Sequence, residues 1–290
     1  MLILTSFIVF IFGVIVGSFL NVVVLRYNTG LSIVKGGSKC FSCGKYLSWY
    51  ELFPLFSFIF QKGKCRKCKS GISWQYPLVE FLTGLMFLIV FWKINGISPF
   101  FDLSALLNCI FFIAIFSILI VITVYDLKHK IIPDGMVFTF IFLSLAKVLY
   151  FIAATWGEQM FKFYFVVLLS GPIVALPFFF LWFVSKGRWM GFGDVKLALG
   201  IGWLMGLAGG LSSIILAFEI GAVASLILLA IGRILTTRTV NKLSLPLSVK
   251  KLTIKSEIPF APFLVLGTIL IFIFEWDFMS INLFLRSFGL

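Results

Sequence analysis

Two sets of side chains in this chain have types and spacings suited to chemistry. The first is Cys40-Phe41-Ser42-Cys43, followed by Cys65-Arg66-Lys67-Cys68. Each C-x-x-C turn presents two thiolates, and two such pairs separated by 21 residues suit a closed, tetrahedral four-cysteine zinc site. Gly44 and Gly63 supply turn residues at the knuckles, and the neighbouring Lys and Arg side chains favour thiolate over thiol. A pair of disulfides, or thiols without a joint role, is the competing reading. With all four positions filled by protein, such a site would hold a loop together and perform no reaction. Cys109, the fifth cysteine, lies in an apolar run and reads as a small packed hydrophobe.

The second set is acidic. The chain has only 11 Asp and Glu residues, so each one near a bilayer is costly and calls for a reason. Asp126 stands in VYDLKHKIIPD, which ends at Asp134, and Asp194 stands in GFGDVKL. Two carboxylates close enough to share a proton titrate apart: one can act as general base on a water while the other, protonated, donates to a scissile carbonyl. The bland alternative is that Asp134 and Asp194 serve as helix N-terminal acids beside Lys128, Lys130, Arg188 or Lys196. Gly191 and Gly193 would let a substrate backbone approach the helix start; a hinge or close helix packing is their alternative. The chain carries no G-x-S-x-G elbow and no H-E-x-x-H, and its single histidine, His129, excludes a multi-histidine metal centre.

These groups must be positioned by helices in a membrane. Of the 290 residues, 61% are apolar and 12% charged, with a mean hydropathy of +1.13. Eight apolar runs, near 2–24, 77–95, 104–125, 135–154, 162–184, 192–209, 211–232 and 259–282, follow one another. Most are long enough to cross about 30 Å of hydrocarbon as a helix. The expected fold class is an all-α polytopic membrane protein of about eight transmembrane helices, with a small zinc-binding loop domain in the cytoplasm. The expected domains are a first transmembrane helix at 1–24, the loop domain at 25–74 and a transmembrane domain at 75–290. The stretch from Thr236 to Glu257 reads as a flexible connection.

The net charge of +13 would suggest nucleic acid in a soluble protein. Here 20 of the 24 basic residues fall in the loops after the first, third, fifth and seventh runs, the pattern of cytoplasmic loops. Both termini then face outward. Topology therefore accounts for the charge, with membrane lipid and not nucleic acid as the partner. The three aspartates fall on the same face at about the same depth. Glu80 is placed one turn into the second run, where it approaches that depth or snorkels, and Glu219 falls near the middle of the seventh run.

Five segments in order make the chain similar to the type IV prepilin peptidase family of membrane GxGD-type aspartic peptidases (leader peptidase/N-methyltransferases). They are GSFLNVVVLRY at 17–27, the cysteine loop from CFSCGKYLSWYELFPLFSF to GKCRKCKSGISWQYPLVE, DLKHKIIPD, GFGDVKLALG and IPFAPFL. The resemblance implies that Asp126 and Asp194 are the catalytic aspartates and that Cys40, Cys43, Cys65 and Cys68 bind zinc. It implies an enzyme of the bacterial inner membrane that removes the basic leader of type IV prepilins or pseudopilins at the cytoplasmic face. It also implies N-methylation of the new terminus from S-adenosylmethionine. An ion-coupled transporter using intramembrane carboxylates is the alternative, and a zinc-loop scaffold without activity is a third.

Overall fold

The computed structural model describes residues 2–96, 102–155, 161–239 and 259–278. Within them the chain is helical, apart from two isolated β-bridges in the cysteine loop. Six helices are long and apolar enough to cross a membrane. The chain forms two compact units, residues 1–124 and 125–290.

The first unit contains α1 (Leu2–Arg26), the short α2 (Phe56–Phe60), α3 (Gln75–Asn95) and most of α4 (Leu103–His129). In lipid there is no hydrophobic force between helices, so close backbone packing must hold them. Gly13 and Gly17 supply it: a Cβ on Gly13 would lie 2.8 Å from the Gly84 Cα, and one on Gly17 would lie 2.8 Å from the Glu80 Cα. One turn further, the Asn21 amide donates to the Tyr76 carbonyl at 3.2 Å. Residues 13, 17 and 21 thus meet 84, 80 and 76, an antiparallel crossing on a small-residue stripe. Asn95 of α3 donates to the buried Cys109 sulfur of α4 at 3.3 Å, which fits the expected packing role of that cysteine.

The second unit contains the last turn of α4, then α5 (Asp134–Ala154), α6 (Phe161–Ser185), α7 (Phe192–Thr239) and α8 (Ala261–Phe274). Helix α7 is broken at Gly206, whose φ of 73° and ψ of −177° no helical residue adopts. A Cβ on Gly210 would lie 3.1 Å from the Gly202 Cα, although eight residues of unbroken helix span about 12 Å. The chain therefore folds back on itself. Two limbs, 192–205 and 207–239, stand for the expected sixth and seventh spans, with the turn at Gly206 and not at 210. The eight apolar runs expected correspond to α1, α3, α4, α5, α6, the two limbs and α8, of which α8, at 14 residues, is shorter than the expected run.

The break frees the carbonyls at the end of the first limb, and Lys147 of α5 donates to the Leu204 carbonyl at 2.8 Å. A cation at a helix C-terminus is the favourable sign. Helix α6 is joined by the same logic. Pro172 has no N–H to offer the Leu168 carbonyl, and the Trp203 indole N–H fills the place at 2.8 Å. Gly202 packs onto Ser170 and Gly171, and Gly267 of α8 onto Ser213 and Ala217. The expected connection at 236–257 falls, from residue 240 onward, outside the described residues.

Candidate functional site: two aspartates and a four-cysteine cluster

In the second unit Asp126 lies in the last turn of α4 and Asp194 in the first turn of α7. Both are buried, at 5% and 9% exposure, and close enough for the charge of Asp126 to be felt at Asp194. Their settings differ. Asp194 is the third residue of its helix and takes the Gly191 backbone N–H, as an acid in a first turn commonly does. Asp126 occupies a helix C-terminus, the unfavourable end for a carboxylate, and takes the backbone N–H of Ala261 at the start of α8. Three helices, α4, α7 and α8, thus converge on the pair.

The glycines around Asp194 have different surroundings. A Cβ on Gly193 would lie 2.9 Å from the Ile132 Cβ, so the DLKHKIIPD segment sits in the space this glycine leaves. That is the close-packing alternative, and it is what brings the two motifs together. At Gly191 a Cβ would meet only the Asp194 carboxyl and the Gly193 nitrogen, both at 3.9 Å. Of the two positions expected to open access, Gly191 is the one with room beside the carboxylate. Asp134 is a first-turn acid of α5, two-thirds exposed, and pairs with Lys196. The Lys196 ammonium also lies over the rings of Phe138 and Phe192. Next to Asp194, α6 and α7 frame an apolar crevice of about 230 Å³ lined by Pro172, Leu176, Phe179, Phe192, Val195 and Lys196, among others.

Glu219 is not mid-span. Gly221 packs near Phe260 and Phe263, beside the Ala261 that serves Asp126, so Glu219 lies near the depth of the aspartates, on an exposed face. Its position in the sequence misled because the limb runs on to residue 239.

The first unit holds the cysteines. The ligand atoms of Cys40, Cys43, Cys65 and Cys68 all lie within 4.8 Å of one another, the one group of its kind among the described residues. The two knuckles repeat one pattern. Cys40 N–H bonds the Lys45 carbonyl and Gly44 N–H the Cys40 carbonyl; Cys65 N–H bonds the Ser70 carbonyl and Lys69 N–H the Cys65 carbonyl. Each is closed by a bridge, Lys39 with Tyr46 and Lys64 with Gly71, and each has a left-handed residue after its second cysteine, Gly44 or Lys69. Four Zn–S bonds of 2.3 Å at tetrahedral angles would separate the sulfurs by about 3.8 Å, and Cys40 and Cys68 stand 3.8 Å apart. The cluster fits a zinc ion. N–H groups of Cys43 and Ser42 lower the Cys40 thiol to about 6. At Cys43 the Lys45 N–H works downward, but burial and the crowded neighbouring thiols win and push it up to about 11.

Glu51, a loop acid without a special claim in the sequence, and Glu80, expected to approach the aspartates' depth or to snorkel, are structural. Glu51 takes the Ser48 N–H at 2.9 Å and the Lys45 ammonium at 3.1 Å, and those two contacts hold its carboxyl below the usual range. The S-W-Y-E pattern at 48–51, the S-x-x-E of a capping box, was the available signal. Glu80 takes the Leu55 backbone N–H at 2.8 Å. Both are buried and occupied, so neither is placed to offset a basic leader.

Residues 11–94 match the Bacterial Peptidase A24 N-terminal domain, and residues 113–226 match the Type IV leader peptidase family. A "Prepilin leader peptidase/N-methyltransferase" of Bacillus subtilis is 30% identical over 274 residues, 94% of this chain and 96% of that protein. The chain belongs to the type IV leader peptidase family. Proteins with the same name in Xanthomonas campestris and Myxococcus xanthus are 28% and 33% identical. The first match spans 96% of this chain and 93% of the relative, the second 77% and 63%. No solved structure matches. For a leader peptidase of this family, the stretch matching the Type IV leader peptidase description holds Asp126 and Asp194, and the stretch matching the N-terminal domain holds all four cysteines.

Proposed function

We propose that this multi-pass membrane protein is an aspartic endopeptidase that removes the basic leader of type IV prepilins or pseudopilins at the cytoplasmic face of the bacterial inner membrane. The observation that carries the reading is the burial of two carboxyls, Asp126 and Asp194, near enough for the charge of one to act on the other. In the reaction, the ionised member of the pair takes a proton from a water, whose oxygen attacks the scissile carbonyl carbon. The protonated member donates to the carbonyl oxygen. The tetrahedral species collapses as a proton passes to the leaving amine, and the pair returns to a single shared proton. No covalent enzyme intermediate is needed.

Gly191 leaves room for a substrate backbone beside Asp194, and the crevice between α6 and α7 offers an apolar path for the segment that follows the scissile bond. Asp134, exposed and paired with Lys196, is an acid available to a basic leader on this unit. Zinc would sit on the four cysteines, fixing the loop without an open position for chemistry. N-methylation of the new terminus from S-adenosylmethionine is the second activity, supported by the names of the relatives.

The test is to co-express a prepilin with the protein in a host lacking such an enzyme and read the pilin's N-terminal residue and its mass. Leader loss at one bond, abolished by Asp126→Asn or Asp194→Asn in protein that still inserts, is the expected result. An intact leader with the wild-type enzyme, or normal removal with both aspartates replaced, would end the proposal. The transporter reading needs carboxylates at the bilayer centre, and Glu219, its best candidate, lies two residues from Gly221, which packs near Phe260 and Phe263 at about the depth of the aspartates.

A further inference from the structure

The loop in the first unit carries an apolar surface that neither the cysteines nor the α1 and α3 crossing uses. Trp49, Leu52, Phe53, Phe56, Ile59 and Phe60 are all exposed, Trp49 at 79% and Phe60 at 76%. The segment nevertheless has an inside. Phe58 turns the other way, meets the Trp74 ring edge-on at 4.8 Å and lies under Gly63. The outward rings are therefore a second face, not a core that failed to close.

The height of that face is fixed by one bond. Leu55 gives its backbone N–H to Glu80, the sixth residue of α3, a helix long and apolar enough to cross a membrane. At the same level of α3, Leu78, Phe81 and Leu82 are exposed as well. The rings around Leu55 are thus pinned beside the first two turns of a spanning helix, where hydrocarbon gives way to headgroups. Immediately beyond Phe60 come Lys62, Lys64, Arg66, Lys67 and Lys69, all exposed, and no acidic residue occurs between positions 52 and 79.

We propose that residues 49–60 form a lipid-contacting surface, with the aromatic rings seated in the interfacial layer and the basic second knuckle resting on anionic phospholipid headgroups. Aromatic rings favour that layer, and lysines close to a negative leaflet are drawn to it. The run of positive charge with no interspersed acid selects an anionic lipid surface over a second copy of this basic chain, which would repel it. This surface does not depend on the peptidase reading.

Full-length protein in nanodiscs provides the test, with benzoylphenylalanine placed at Phe56 or Phe60 for photo-crosslinking. Adducts carrying the mass of phospholipid are expected, at several-fold higher yield in discs containing phosphatidylglycerol than in phosphatidylcholine alone. Combining the probe with Lys62→Gln, Lys64→Gln and Lys67→Gln should remove that difference while metal content stays at the parent level. Adducts to a second protein chain, the absence of lipid adducts, or equal yields in the two lipids with the lysines intact would overturn the proposal.

Discussion

The four cysteines and the two aspartates were brought together in opposite ways. Each cysteine pair is made by one tight turn, its backbone hydrogen bonds closed within six residues, and the same turn is used twice. The aspartates come from helix ends 68 residues apart in the chain and owe their meeting to distant packing: Ile132 into the gap at Gly193, and Ala261 against Asp126. The cysteine site has four ligands for four coordination positions. The aspartate site leaves two acids buried against each other with one backbone donor apiece. A site meant only to hold is closed; a site suited to moving protons keeps groups that water or substrate must still satisfy.

The sharpest break in this comparison is functional. Asp126→Asn or Asp194→Asn is expected to lower leader removal by on the order of a thousandfold or more while zinc content is unchanged. Cys68→Ser should do the reverse in kind: metal lost by elemental analysis, and trypsin cutting between Lys62 and Lys69 while the helices stay protected. If the cysteine variant alone abolished chemistry with its loop still folded, the division of labour would be wrong.

Packing separates the two glycines. Gly193→Ala places a Cβ 2.9 Å from the Ile132 Cβ and is expected to cost about 1–3 kcal/mol of stability in detergent melting. Ile132→Ala leaves that Cβ in place and should rescue it only in part. Gly191→Ala, with nothing nearer than 3.9 Å, should melt like the parent, and any loss would appear in substrate turnover. The smallest effect is expected at the knuckles, where Lys69 holds φ at 59° in the position that Gly44 fills in the first. Lys69→Gly should stabilise the loop by about 1 kcal/mol, read as slower trypsin cleavage.

The sequence made the cysteine site easy to read because its geometry is local: C-x-x-C spacing is itself the turn. The helices were equally plain, since apolar runs of 18 or more residues have few other readings. What distance hides was less legible. In MGLAGGLSS, any of three glycines can turn a chain, and only packing decides that Gly206 does so while Gly209 and Gly210 lie against Met205 and Val174. Glu80 is placed by its sequence near the aspartates' depth or snorkelling, but its partner is a backbone N–H 25 residues earlier, which no spacing rule finds. Lys147, one of the four basic residues outside the expected cytoplasmic loops, caps a broken helix.

That broken helix sets a length. From Phe192 to Met205 the first limb has a rise of about 21 Å, against about 30 Å of hydrocarbon, so its two ends cannot both reach a membrane surface of ordinary thickness. Either the bilayer pinches around it or one of its ends, at Asp194 or at Gly206, lies submerged below the headgroups. Bilayer thickness, as much as side-chain chemistry, then governs how far water must travel to meet the carboxylates.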